Sequence, residues 1–145
     1  MGERAVNKTE IIEKLGSVPL FAGASKKELQ AIASAVKEVD HDAGDVLATE
    51  GQSGVGFFLI VDGTARVIVN GRTRGRMGPG DVFGEIAVLD GGPRSATVIA
   101  ETPVKMLGLT PWVFKGLLAQ YPSLTMKLLH VVAARLRAAS ASATD

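Results

Sequence analysis

The spacing of apolar residues changes twice along the chain. Before about residue 37 it is helical, with Leu29, Ile32, Ala33 and Val36 on one face. Between about residues 38 and 109 the apolar residues gather into short runs, "DVLAT", "GFFLIV", "ARVIV" and "ATVIA". The turn pairs Asp62-Gly63, Asn70-Gly71 and Asp90-Gly91 lie among these runs. Asn-Gly between β-rich runs is a strong hairpin signal, because a tight hairpin turn needs two residues that accept positive φ. Many short strands at regular spacing predict a barrel, roll or jelly roll rather than a parallel α/β sheet. From about residue 111 to 139 the pattern is helical again. The predicted fold class is mainly β with flanking helices.

Local signals refine the helices. Asn7 with Glu10, and Ser25 with Glu28, have the spacing of capping boxes, and Gly16 is placed to end the first helix. Thr110-Pro111 supplies a cap and a proline at the first helical position of "WVFKGLLAQ". Pro122-Ser123 interrupts the chain before a longer helix over about 124–139, and the small, polar tail "SASATD" is expected to fray. That last helix carries two apolar stripes: Leu124, Leu128 and Val131 on one, Leu129, Val132 and Leu136 on the other. A broad core face, a lid or a partner helix would each use the second stripe.

Composition narrows the function classes. With 145 residues, 46% of them hydrophobic, the chain suffices for one globular domain with its own core. A net charge of +1 gives no general attraction to nucleic acid or anionic membrane. Without cysteine there are no disulfides and no thiolate metal sites. No run reaches the length of about 20 apolar residues that spans a bilayer, and the N-terminus lacks the apolar core of a signal peptide. A cytoplasmic location is expected. Twelve of the 17 glycines fall within residues 44–92, so the β region is also where the backbone turns most sharply.

Catalytic and metal-binding patterns are not evident. His41, in the polar "DHDAGD" segment, reads as a solvated loop residue, and His130 on the last helix as a surface or half-buried side chain. Neither has a second ligand at metal-binding spacing. No nucleophile elbow or P-loop occurs, and "GRMGPG" has the wrong glycine spacing for a dinucleotide fingerprint. "RTRGR", at 72–76, follows Asn70-Gly71 and reads as a solvated hairpin arm. No metal, cofactor or direct nucleic-acid partner is expected.

One stretch does carry a chemical pattern: "FGEIAVLDGGPRSAT", at 83–97. Residues 85–89 suffice for one helical turn, whose free N–H groups favour an anion. Gly91-Gly92-Pro93 then turns the chain so that Arg94 can face that turn. A guanidinium donates two parallel hydrogen bonds to a phosphate. Ser95 adds a hydroxyl and Ala96 a backbone N–H. Glu85 would repel a phosphate but can accept a hydrogen bond from a sugar hydroxyl beside it. One acid for a hydroxyl and one arginine for a monoanionic phosphate suit a cyclic nucleotide. A plain Arg94–Glu85 ion pair in a tight loop accounts for the same residues.

The stretch resembles the phosphate-binding cassette of the cyclic nucleotide-binding domain family. That family includes the catabolite activator protein, kinase regulatory subunits and cyclic nucleotide-gated channels. "GDVLATEGQSG", "FFLIVDGTARV" and "GPGDVFGE" also match, and the similarity covers nearly the whole chain. The resemblance implies one domain over 1–145, with N-terminal helices at about 7–37, a jelly-roll-like β-roll (a double-stranded β-helix) at about 38–109 and a C-terminal helix pair at about 111–139. It implies a ligand, cAMP or cGMP, held by Gly84, Glu85, Ile86, Ala87, Arg94, Ser95 and Ala96. Gly84 and Glu85 would take the ribose 2′-hydroxyl, while Arg94, Ser95 and the Ala96 amide would take the phosphate. In the family, threonine after the arginine goes with cGMP and alanine with cAMP. Ser95 is able to bind the phosphate or reach a syn guanine, and cAMP is expected to be preferred.

Within this resemblance the last helix, with Leu129, Val132, Arg135 and Leu136, is the expected base lid. Arg135 either stacks on the purine or is a solvated cation near a helix end. The resemblance further implies an allosteric, non-enzymatic role in signal transduction, exerted through an effector protein or a fused effector domain. Two other readings stand beside it: an interaction module that keeps the cassette without using it, and a cyclic nucleotide hydrolase, for which no machinery is visible.

Overall fold

The computed structural model describes residues 6–53, 56–84 and 92–144. The chain forms two compact units, one from Met1–Ser34 with Lys115–Asp145, the other from Ala35–Phe114. The order of elements is α1 (Lys8–Gly16), a 3₁₀ turn (Pro19–Phe21), α2 (Lys26–Ala35), eight strands, α3 (Pro111–Gln120) and α4 (Pro122–Thr144). The strands are β1 (Lys37–His41), β2 (Val46–Ala48), β3 (Phe57–Asp62), β4 (Ala65–Val69), β5 (Arg72–Met77), β6 (Val82–Phe83), β7 (Thr97–Ala100) and β8 (Val104–Leu109).

The second unit is two four-stranded sheets, ordered β1-β8-β3-β6 and β2-β7-β4-β5, with every named pairing antiparallel. Side chains from both sheets meet in one core. Ile60, Val104 and Met106 come from the first, and Ala65, Val98 and Ala100 from the second. This is the expected β-roll. Hairpin β4–β5 turns on Asn70-Gly71, and both residues take positive φ, 53° and 76°. Gly63, at φ 93°, closes the β3–β4 turn where a Cβ would overlap the Pro103 carbonyl. The third expected turn pair, Asp90-Gly91, lies outside the described residues.

Several expectations need correction. β1 is a strand although its sequence, "KEVDH", is polar, and His41 ends it instead of lying in a loop. The His41 Nδ1 lies 3.3 Å from an Asp45 Oδ2 that also accepts the Asp42 N–H, so a local turn holds this end of the strand. β8, "VKMLGL", is buried almost throughout and lies between β1 and β3. Lys105 hides the apolar character of this run in the sequence. It is buried, and its Nζ donates to Asp40 Oδ1 at 2.9 Å across the β1–β8 ladder. Among the described residues the buried Thr110 hydroxyl has no hydrogen-bond partner and so forms no side-chain cap, while the Thr110 carbonyl accepts the Phe114 N–H. Pro122 opens α4 as its first residue, and the helix runs on to Thr144 rather than fraying near residue 139. The stretch after residue 137 is mostly alanine and serine, with no glycine or proline to stop a helix.

In the helical unit both capping boxes contribute. The Asn7 Oδ1 accepts the Glu10 N–H at 2.9 Å. Ser25 and Glu28 bond reciprocally, the Glu28 N–H to Ser25 Oγ and the Ser25 N–H to Glu28 Oε1. The Glu28 carboxylate then does more than cap. Ser123 Oγ donates to its Oε2 at 2.5 Å and Lys127 Nζ to its Oε1 at 2.8 Å, which ties the start of α2 to the first turns of α4. The 3₁₀ turn, with Leu20 and Phe21 buried, touches both α1 and α4. Leu124 and Leu128, the first stripe of α4, are buried, and Val131 is half-buried. Leu129, Val132 and Leu136, the second stripe, are exposed, as is His130.

Lys127, then Ser123 and the Ser25 N–H, hold the Glu28 carboxyl at a pKa of about 2, below the usual 4.5 and against the opposing effect of burial. A carboxyl with a depressed folded-state pKa stabilises the fold fully above its unfolded value. That stabilisation is lost as pH falls from about 4.5 toward about 2. Glu28→Gln is therefore expected to lower stability at neutral pH by about 1.5–3 kcal/mol, the range for hydrogen bonds to a charged group. Urea unfolding at pH 7 and pH 3 checks this. The gap between variant and wild type should narrow at the lower pH, and a gap independent of pH would remove the charge from the explanation.

Candidate functional site

Arg94 precedes β7, and backbone bonds clamp it on both sides. The Gly51 N–H donates to the Arg94 carbonyl at 2.9 Å, and the Arg94 N–H donates to the Gln52 carbonyl at 2.9 Å. One step further, Ser53 and Pro93 form an isolated antiparallel bridge. The 51–53 turn thus acts as a short extra strand that sets the direction of the arginine. Gly51, at φ 83°, permits the bend.

The side chain is only 8% exposed, which is rare for a charged group. Nη2 donates to the Gly56 carbonyl at 2.5 Å. Nη1 is buried and has no hydrogen-bond partner among the described residues. Burial pushes the Arg94 pKa below its ordinary value, yet an arginine starts so high that it stays a cation at neutral pH. A buried donor without an acceptor is costly, and a buried cation more so. An anionic oxygen that entered beside Nη1 would relieve both costs.

Gly84 makes room for this arrangement. It adopts φ 80°, and a Cβ there would overlap Arg94 Nη1 and the Gly56 carbonyl. Gly84 is therefore needed for conformation and for space, a role separate from holding a ribose hydroxyl. The structure brings together Gly84 and Arg94 from the residues expected at the site, with Ser95 exposed and Ala96 half-buried on the path into β7. Glu85, Ile86 and Ala87 lie outside the described residues, as does the expected helical turn at 85–89.

Sequence reasoning missed Gly56 and the 51–53 clamp as parts of the site. The glycine-rich "EGQSGVG" was their only trace, and nothing in it points to a residue 38 positions away. Among the described residues no group of three or more His, Asp or Glu side chains is placed to hold a metal ion. None of the described helices is long and apolar enough to cross a membrane.

Known proteins share this architecture. The cyclic nucleotide-binding domain family matches residues 38–121, which include both sheets and the Arg94 region. A CRP-like cAMP-activated global transcriptional regulator of Mycobacterium tuberculosis is 28% identical over 144 residues, which is 94% of this chain and 62% of that protein. A cAMP-dependent protein kinase regulatory subunit of Aspergillus niger is 37% identical over 110 residues, covering 72% of this chain and 26% of that protein. The chain thus spans less than two thirds of the length of either curated relative. Among solved structures, the N-terminal domain of a transcriptional regulator from Streptomyces coelicolor A3(2) superposes with a TM-score of 0.82 at 30% identity. That match covers 89% of this chain and 93% of the other. With the family match over most of the chain, the two-sheet roll and the buried arginine before β7, the chain belongs to the cyclic nucleotide-binding domain family.

Proposed function

We propose that residues 1–145 form one receptor domain for a cyclic nucleotide monophosphate, with cAMP the preferred ligand and no catalysis of its own. The observation that carries this reading is the buried Arg94 guanidinium, whose Nη1 lacks a hydrogen-bond partner among the described residues. A cyclic phosphate is a monoanion with two free oxygens, which suits one cation with a donor to spare. The match to relatives named as a cAMP-activated regulator and a cAMP-dependent kinase regulatory subunit supports the ligand class. Glu85 is assigned to the ribose 2′-hydroxyl with Gly84, Ile86 and Ala87 beside it, and Ser95 and the Ala96 N–H to the phosphate. The readout passes to an effector protein or effector domain, and the cytoplasm is the proposed setting.

Arg94→Ala removes one partner of a desolvated charge pair, a loss of about 2–5 kcal/mol, or about thirty-fold or more in affinity. Arg94→Lys keeps the charge but not the fork, so it should fall between the alanine variant and wild type. Calorimetric titration with cAMP, alongside a thermal melt to confirm folding, measures both. Undiminished binding by a folded Arg94→Ala protein would falsify the assignment.

Ser95 governs the second expectation. Its hydroxyl lacks the methyl that restricts threonine to few rotamers, so a firm contact to guanine is not expected and cAMP should be modestly preferred. Competition between cAMP and cGMP for a fluorescent analogue tests this. A preference for cGMP beyond about tenfold, about 1.4 kcal/mol, would show that Ser95 acts as threonine does in the family.

The response to ligand is assigned to α4. A ligand shifts a conformational equilibrium only through differential contacts with the two states. The backbone clamp holds Arg94 in place, so the differential contact is assigned to the base end. Leu129, Val132 and Leu136 form an exposed apolar face suited to covering a base, with Arg135 beside it able to stack on a purine. Hydrogen exchange over 124–139 should slow when cAMP is added, and slow less in Arg135→Ala. Identical exchange with and without cAMP would show that the signal leaves by another route.

A further inference from the structure

The β4–β5 hairpin carries positive charge that its neighbours balance only in part, with Glu101 at Arg76 and Glu50 accepting the Asn70 N–H at the hairpin turn. Its residues 65–77, "ARVIVNGRTRGRM", hold four arginines and no acid, in a chain with a net charge of only +1. Pairing register places two of them. Arg66 on β4 lies directly opposite Arg76 on β5, and on its other side it pairs with Ile99, which pairs in turn with Val46. One row therefore crosses all four strands as Val46, Ile99, Arg66 and Arg76. Cross-strand partners share a face. Ala65, Val98 and Ala100 face the core, so this row faces away from it. Ile68, flanked by Thr97 and Thr73, belongs to the next row on the same side.

Like charges directly opposite one another weaken a strand pair. Arg76 is offset, since its Nε donates to both carboxylate oxygens of Glu101 at 3.0 and 3.1 Å. Among the described residues Arg66 has no ion pair, and its buried Nε has no hydrogen-bond partner. Arg72 and the bulge residue Arg74 are exposed and also lack ion pairs among the described residues. Edge strands use such charges to prevent unwanted pairing, which accounts for Arg72 and Arg74 on β5. It does not account for Arg66, which lies on an interior strand.

We propose that this outer face docks an acidic segment of a protein partner, whose carboxylates pair with Arg66 and Arg74 while its aliphatic side chains lie over Val46, Ile68 and Ile99. Val46 is 56% exposed, unusual for a valine within a sheet, and the row carries no aromatic ring on which a base could stack. Arginine is enriched at protein interfaces, and the buried centre of an interface is more apolar than the rest of the surface. A phosphate backbone would use the arginines and leave the aliphatic row without a partner.

Fluorescence anisotropy of a labelled glutamate-rich peptide with interspersed leucines, titrated with the full chain at low salt, tests the proposal. Saturable binding is expected, weakened about tenfold or more by Arg66→Ser and lost to a peptide with glutamine in place of glutamate. Arg74→Ser, at the exposed bulge, gives a second variant should Arg66→Ser fold poorly. Affinity for cAMP, measured in the same variants, should not change. The proposal fails if the peptide does not bind, or if both variants bind it as wild type does. It also fails if a single-stranded oligonucleotide of equal charge binds more tightly, or if sedimentation shows that this face joins two copies of the chain.

Discussion

A guanidinium buried to 8% exposure within a β scaffold is the constraint around which the second unit is arranged. Burial of a cation is unfavourable unless fixed dipoles and a counter-charge replace water. The Gly56 carbonyl supplies one dipole at Nη2. The 51–53 turn holds the arginine backbone through two hydrogen bonds, so the side chain is aimed without a flexible loop. Gly84 leaves the space in which Nη1 lies. These contributions come from segments far apart in sequence, and only the two-sheet roll brings them together. The order around Arg94 is thus a property of the strand pairing, and an anion bound there would draw on organisation already made in folding.

The helical unit works by different means. It lacks a sheet to impose register, and Glu28 helps to compensate. One carboxylate caps α2 and accepts hydrogen bonds from two residues of α4, so the two helices meet at one acid. Beside it the buried Leu124 and Leu128 supply apolar contact. The contrast with Lys105 is instructive. Both are buried charges with a partner, but Lys105 pairs with Asp40 on an adjacent strand and adds to a register the ladder already sets, whereas Glu28 joins elements nearly a hundred residues apart.

Much of this was legible in the sequence because the signals were local. Asn70-Gly71 specified its hairpin, because the turn needs positive φ at two successive residues. The capping boxes at Asn7 and Ser25 marked two helix starts through hydrogen bonds that span three residues. Helical periodicity displayed both apolar stripes of α4, and Arg94 stood out as the one cation in a glycine-rich stretch. Each of these depends on chemistry within one turn of chain, which a sequence displays directly.

What only the tertiary structure decided has the opposite character. Neither β1 nor β8 stood among the expected strand runs, because each takes its stability from pairing with a neighbour rather than from its own pattern. Whether Glu28 was a local cap or a tie to Ser123 and Lys127 depended on where α4 starts, and Pro122 at its first position settled that. The acceptor for Nη2 was a backbone carbonyl, a group every residue carries and no sequence motif can single out. The chain by itself therefore determined the fold class and singled out the arginine of the candidate site. Folding chose the partners of each charge, because burial and strand register bring together groups that local sequence leaves independent.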